Sequence, residues 1–251
     1  MVIRVKVPKI PKILKKHKEY LESTYTLTND IKFSLTKTNP WDSKLGGCPY
    51  LENIDEYPMD KNGKPMVFLT QLNLEKMPAL PDFPTKGLLQ FYIQNNGIYG
   101  LNESCEIRYI PKYKKDKKAL ILKNPYREDY RKNEPFAKCC KLSFSQRKMP
   151  ICTDHKQFEE KFCNKVSDEE SQALYDFCYA SGSRIGGYPL FVQSSPAYYD
   201  DGTADVLLLQ LDVDDTSGLM FGDSGNCTFL ISREDLLKRN FSNVEYDWQC
   251  C

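Results

Sequence analysis

The sequence predicts an α+β, β-rich fold, with two pseudo-symmetric β units from an internal duplication and a few helices. Three observations predict it. "SKLGGCPYL" over residues 43–51 returns as "SRIGGYPLF" over 183–191, which sets Gly46 over Gly186 and Pro49 over Pro189 at an offset of 140. Two further matches follow in the same order: "FLTQLNL" with "LLLQLDV", Gln71 over Gln210, and "GLLQFYI" with "GNCTFLI", at offsets of 139 and 138. Helix start signals are sparse beside the apolar and aromatic runs. Matches in constant order at a near-constant offset read as one supersecondary unit present twice, with a period too long for a solenoid.

The elements follow in order. Residues 1–40 are a basic segment expected to be helical and docked, with an amphipathic helix over Ile10 to Tyr20. Pro8, Lys9, Pro11 and Lys12 interrupt any apolar core of a leader, so no signal peptide is expected. Residues 41–251 form the duplicated domain: copy one over 41–107, a Lys-rich insertion and helices over 108–182, and copy two over 183–251. In each copy the double glycine permits positive φ or a close backbone approach, and the proline sets an extended exit. "YPLFVQ" suits a strand, followed by the apolar strand that carries Gln71 or Gln210 and then an aromatic strand. A buried amide must be hydrogen-bonded, so Gln71 and Gln210 are expected to tie their strands to neighbouring loops. Asp154 is expected to cap "HKQFEEKFC". Ser167 with Glu170 makes a capping box before "SQALYDFCYAS", which Gly182 stops, and Ser232 with Asp235 repeats it before "LLKRN".

With 41% hydrophobic and 27% charged residues, the 251-residue chain has the balance of a globular protein. It is long enough to bury a core without disulfides or metals. No apolar run nears the roughly 20 residues of a membrane span, so no membrane partner is expected. Ten cysteines without a leader read as reduced thiols in a cytoplasmic protein, with Cys48, Cys105, Cys178 and Cys227 as small buried hydrophobes. Net charge is +1, yet residues 1–150 carry +12 and residues 151–251 carry −11. Two halves of opposite sign attract each other in one fold, or the basic half serves an anionic partner; the first reading is preferred.

Candidate chemistry is thin. His17 and His155 are the two histidines, and no hydrolase, zincin, nucleotide-binding or dinucleotide-binding motif is found. "GDSG" places Ser224 in familiar letters without the context that makes a nucleophile. Cys152, His155 and Cys163, with Cys139 and Cys140, have half the spacing of a zinc site, and a structural role is preferred. Asp212, Asp214, Asp215 and Asp223 cluster in one loop; turn formation is preferred over a divalent cation, so no metal or cofactor is expected. Between Arg108 and Lys148 stand 14 basic and 4 acidic residues interleaved with tyrosines, the composition of a single-strand nucleic-acid binder or of a solvated insertion. Its candidates are Lys112, Lys114, Lys115, Lys117, Lys118, Arg127 and Arg131. The terminal Cys250 and Cys251 are expected to dock rather than to carry a lipid.

Taken together, "SKLGGCPYL", "LTQLNLEKMPALPDFPTKGLLQFYI", "IGGYPLFVQ", "LLLQLD", "GLMFGDSGNCTFLI" and "YDWQCC" resemble the bacterial YwqG-like family, a domain of unknown function, from about Trp41 to Cys251. The resemblance implies a cytoplasmic, internally duplicated protein with ties to ribosome-biogenesis relatives and to toxin immunity, and it carries no catalytic residues. The expected function is a non-enzymatic protein-binding module, chaperone-like or of immunity type. The alternatives are an RNA-associated factor using residues 108–148 and a metal-dependent enzyme using Asp212, Asp214 and Asp223. The default site is a cleft between the copies, at Gly46, Gly47, Pro49, Gln71, Gly186, Gly187, Pro189, Gln210, Asp212 and Asp223.

Overall fold

Ten strands join in one antiparallel sheet in the computed structural model, which describes residues 5–251. They are β1 (Thr26–Ser34), β2 (Lys44–Leu45), β3 (Val67–Asn73), β4 (Leu88–Ile93), β5 (Glu106–Ile110), β6 (Cys140–Met149), β7 (Arg184–Gly186), β8 (Val206–Leu211), β9 (Asn226–Ile231) and β10 (Glu245–Gln249). Their order is β10-β9-β8-β7-β1-β6-β2-β3-β4-β5. The short helices are α1 (Lys18–Ser23), α2 (Arg127–Tyr130), α3 (Lys156–Phe162), α4 (Asp168–Cys178), α5 (Ala197–Asp200) and α6 (Arg233–Lys238).

The centre is the long β1 and β6 pair, running from Thr26 opposite Met149 to Ser34 opposite Lys141. A wing of four strands extends from each side. β3, β4 and β9 are buried at every residue, as sheets covered on both faces require. Strand twist accumulates along a wide sheet. Here it curls the wings toward each other until Phe91 of β4 meets Phe229 of β9 edge to face, ring centroids 5.0 Å apart. The largest core cluster lies between the wings and draws on both.

The wings match in register as well as in order. Lys44 lies opposite Gln71, as Arg184 lies opposite Gln210. A bulge falls between Phe68 and Thr70 in β3 and between Leu207 and Leu209 in β8. β2 hangs from β6 through Lys44 opposite Lys141, and β7 hangs from β1 through Arg184 opposite Asp30. The first strand of each chain half therefore sits beside the other half's wing.

Several local expectations need correction. Within residues 1–40, helical structure covers Lys12–Ser23, first as a 3-10 turn, but Thr26–Ser34 is a central strand; residues 1–4 lie outside the described part. The segment 108–148 likewise ends in a central strand, β6. "YPLFVQ" forms no strand, because side chains take its amides: Leu190 N donates to Gln210 Oε1, Phe191 N to Asp154 Oδ2 and Gln193 N to Gln249 Oε1. With Asp154 so engaged, His155 caps α3, its Nδ1 accepting from Gln157 N. The Ser167 and Glu170 capping box is present, but α4 ends at Cys178, before Gly182.

Candidate functional site

Each double glycine makes an elbow where its wing leaves the central pair. Gly46 and Gly47 have φ of 61° and 81°, Gly186 and Gly187 of 67° and 78°. A Cβ at Gly46 would lie 2.5 Å from the Phe136 ring, and one at Gly187 2.4 Å from Met149 Sδ. Two successive left-handed residues reverse the backbone and release Pro49 or Pro189 into an irregular segment. A glutamine then fastens that segment. Gln71 Oε1 accepts from Tyr50 N while its Nε2 donates to the Pro40 and Asp42 carbonyls. Gln210 Oε1 accepts from Leu190 N while its Nε2 donates to the Ala180 and Gly182 carbonyls. Ser43 Oγ accepts from Asn73 N, and Ser183 Oγ from Asp212 N.

Each elbow also closes around a buried cation that the sequence reading passed over. Lys44 Nζ donates to the Pro40 and Cys48 carbonyls at 2.8 and 3.0 Å. Arg184 donates from Nη1 to Tyr188 O and from Nη2 to Ser181 O and Gly182 O. Burial pushes Lys44 down to about 8 and Arg184 down to about 10. The signal was the K or R two residues before each double glycine.

The second elbow forms the wall of a 530 Å³ cleft. Leu80, Pro81, Asp82 and Phe83, from the loop between β3 and β4, line it beside Gly186, Gly187 and Tyr188, with Leu80 against Gly186, and the loop from Tyr199 to Val206 adds further lining. Four aspartates line the cleft, Asp82, Asp200, Asp201 and Asp205, against one lysine, Lys156. Asp82 pairs with Arg233 at 2.7 Å, and Asp201 accepts from Thr203 N and Oγ1, which holds its carboxyl low. Asp200 and Asp205 make no ion pair within 4.0 Å among the described residues, although Arg233, which pairs with Asp82, also feels Asp205. His155 stands at the cleft with its ring edge-on to Tyr188 and Tyr199, and burial lowers its pKa against the pull of Asp200. Its Nδ1 accepts a backbone hydrogen bond, so the neutral ring carries its proton on Nε2. A second acidic hollow of 840 Å³, with Glu103, Asp235 and Glu245, lies near the start of β10. There the Asp235 carboxylate accepts from Asn240 and Asn243 Nδ2, while its backbone N donates to the Ser232 cap.

The other candidates scatter. Asp212 accepts from Gly182 N and Val213 N, Asp214 from Ser217 N and Oγ, and Asp223 from Ser224 Oγ. All but the Gly182 bond, which ties Asp212 to the segment before the second elbow, are local turn contacts, and among the described residues no group of three or more His, Cys, Asp or Glu is arranged to hold a metal ion. All ten cysteines are free. In the basic segment, Lys114 pairs with Glu52, Lys115 with Glu75 at 3.9 Å, Arg127 with Glu134 through two bonds of 2.8 Å, and Arg131 with Glu128 at 4.0 Å. Tyr130 and Phe136 belong to the core, so they offer no face to a nucleobase. Lys112, Lys117 and Lys118 are exposed. Cys251 N donates to Asp223 O and Gln193 Nε2 to Cys250 O, which docks the final residues on the 222–225 turn.

No helix among the described residues is long and apolar enough to cross a membrane. Comparison with curated proteins returns no match. A family model described as a domain of unknown function (DUF1963) matches residues 43–250, from the serine that opens the first elbow to the first of the two terminal cysteines. With both elbows and the cleft aspartates inside that span, the chain belongs to the DUF1963 family.

Proposed function

We propose that the chain is a non-enzymatic binding module whose cleft beside the second elbow takes a basic segment of a protein partner. The observation that carries this reading is the pair Asp200 and Asp205, without an ion-pair partner among the described residues, on a hollow also lined by Leu80, Pro81 and Phe83. Lysine and arginine bring an apolar stem and a cationic head, which suits a cleft lined by both apolar and anionic side chains. The glutamine-fastened elbow behind it supplies a rigid wall, which lowers the ordering cost of binding. The resemblance to the YwqG-like family supports a chaperone-like or immunity-type role in the cytoplasm, and ten free thiols suit a reducing compartment.

We also infer that the scaffold is an internal duplication of five strands rather than of the shorter units first read. β1–β5 correspond to β6–β10, with β1 and β6 exchanged between the halves. Supporting it are the matched bulges, the matched glutamine contacts and the offset of 139 between Glu106–Ile110 and Glu245–Gln249. A helical insertion, α3 and α4, falls between β6 and β7 and explains why the offset breaks there.

The binding reading is tested with a fluorescent Lys/Arg-rich peptide containing leucine, followed by anisotropy on the full chain. Asp200→Asn with Asp205→Asn is expected to weaken binding about tenfold, and affinity is expected to fall with salt. Equal affinity for wild type and the double variant would remove the cleft as the site.

A further inference from the structure

The first elbow is built like the second but presents the opposite charge. Lys44 is 4% exposed and spends two ammonium hydrogens on carbonyl oxygens, which leaves a third. No carboxylate pairs with it among the described residues: Asp42, two positions away, gives Oδ1 to Lys76 and Oδ2 to Asn39. Two hollows of 290 and 340 Å³ open beside it, and both are lined by Thr38 and Lys44. Their other charged residues are Lys117 in one and Lys37 in the other, and neither contains an acid. Ile121 and Leu122 form an apolar wall in the first.

Arg184 at the second elbow is different. It is fully buried, with Nη1 and Nη2 taken by Ser181, Gly182, Tyr188 and Met149, so it braces the loop. Lys44 occupies the matching place with fewer donors and an open side. A buried ammonium without a counter-charge is costly, and an anion delivered to its free hydrogen offsets that cost.

We propose that Lys44, with Lys117 in the same hollow and Lys37 in the adjoining one, forms a binding site for a small oxyanion, a carboxylate or phosphate group seated against Ile121 and Leu122. Lys44 Nζ donates its third hydrogen to the anion, and the two exposed lysines supply attraction from the mouth. The same chemistry is offered by a free small anion and by the terminal carboxylate of a peptide. This site is independent of the acidic cleft, and either stands without the other.

The test is calorimetric titration of the full chain with inorganic phosphate, hexanoate, and a short leucine-ended peptide in free-acid and amide forms. At least one oxyanion is expected to bind saturably, about tenfold more weakly in Lys44→Met and about threefold more weakly in Lys117→Ser. Binding of the free-acid peptide but not its amide identifies a chain terminus as the source, whereas binding of phosphate or hexanoate alone identifies a free anion. Should Lys44→Met fail to fold, Lys37→Ser with Lys117→Ser, both at exposed positions, carries the test. No saturable binding of any probe, or equal binding by wild type and the variants, overturns the proposal.

Discussion

Gly46 and Gly63 share a left-handed backbone, φ 61° and 73°, but not a neighbourhood. A Cβ at Gly63 meets nothing within 4 Å, whereas one at Gly46 runs into Phe136 at 2.5 Å. Gly63→Ala should therefore cost only the left-handed penalty, about 1 kcal/mol, and Gly46→Ala about 3 kcal/mol or more, because the Phe136 ring must also move. Urea unfolding checks both; equal losses would mean the elbow is not tight. The thiols give a pH signature. Burial pushes Cys105 and Cys178 up to about 12. The unfolded thiols release their protons near pH 8.5, so the stability due to neutral burial is complete below that pH and is lost as pH rises toward 12. Stability should fall from about pH 9 upward, and less steeply in Cys178→Ala; parallel profiles would contradict the burial. At this scale glycine and glutamine were readable, since each has a conformational or hydrogen-bonding need that shows in its letters. Lys44 and Arg184 repeat visibly two residues before each double glycine, but their burial was not readable, because a basic residue beside a turn ordinarily points to water and its burial depends on carbonyls that only the folded elbow gathers.

Each candidate site leans on its own elbow, and Gln71 fastens the first. Gln71→Leu would strand Tyr50 N and the Asp42 carbonyl, would leave Pro40 O with Lys44 Nζ alone, and would take one of two acceptors from Gln90 Nε2. Two unsatisfied buried groups at about 1–3 kcal/mol each should destabilise by about 3 kcal/mol or more. Ser167→Ala, which removes one helix cap, should cost about 1 kcal/mol. Denaturant midpoints of the two variants decide whether the elbow or the helix is the stiffer commitment; a Gln71→Leu loss no larger than the cap's would deny the fastening role. Elements were legible where local chemistry rules, as with the Ser167 box. They were illegible where tertiary partners rule: β1 carries Asn29 and Asp30 at the sheet centre, and β6 was hidden among lysines. "YPLFVQ" has the letters of a strand, yet its amides belong to Gln210, Asp154 and Gln249.

At the scale of the whole molecule, β1 lies beside β7 and β6 beside β2, so each wing is completed by the other half's first strand. Neither residues 1–139 nor residues 140–251 should fold alone, and mixing the two should restore a cooperative transition by circular dichroism. A cooperative transition in either fragment by itself would contradict the exchange. The net charges of the two fragments, +9 for residues 1–139 and −8 for residues 140–251, favour that association. They also foreshadow the local polarity, a lysine-lined first elbow and an aspartate-lined second one. The cleft itself was only half legible, because its walls, Leu80–Phe83 and Tyr199–Val206, come from loops more than a hundred residues apart. If the basic segment enters this cleft rather than the larger acidic hollow near β10, hydrogen–deuterium exchange of the full chain with saturating basic peptide separates the two. Protection is expected at residues 80–83, 155–157 and 199–206; protection confined to residues 102–104 and 242–246, or none at all, would contradict it.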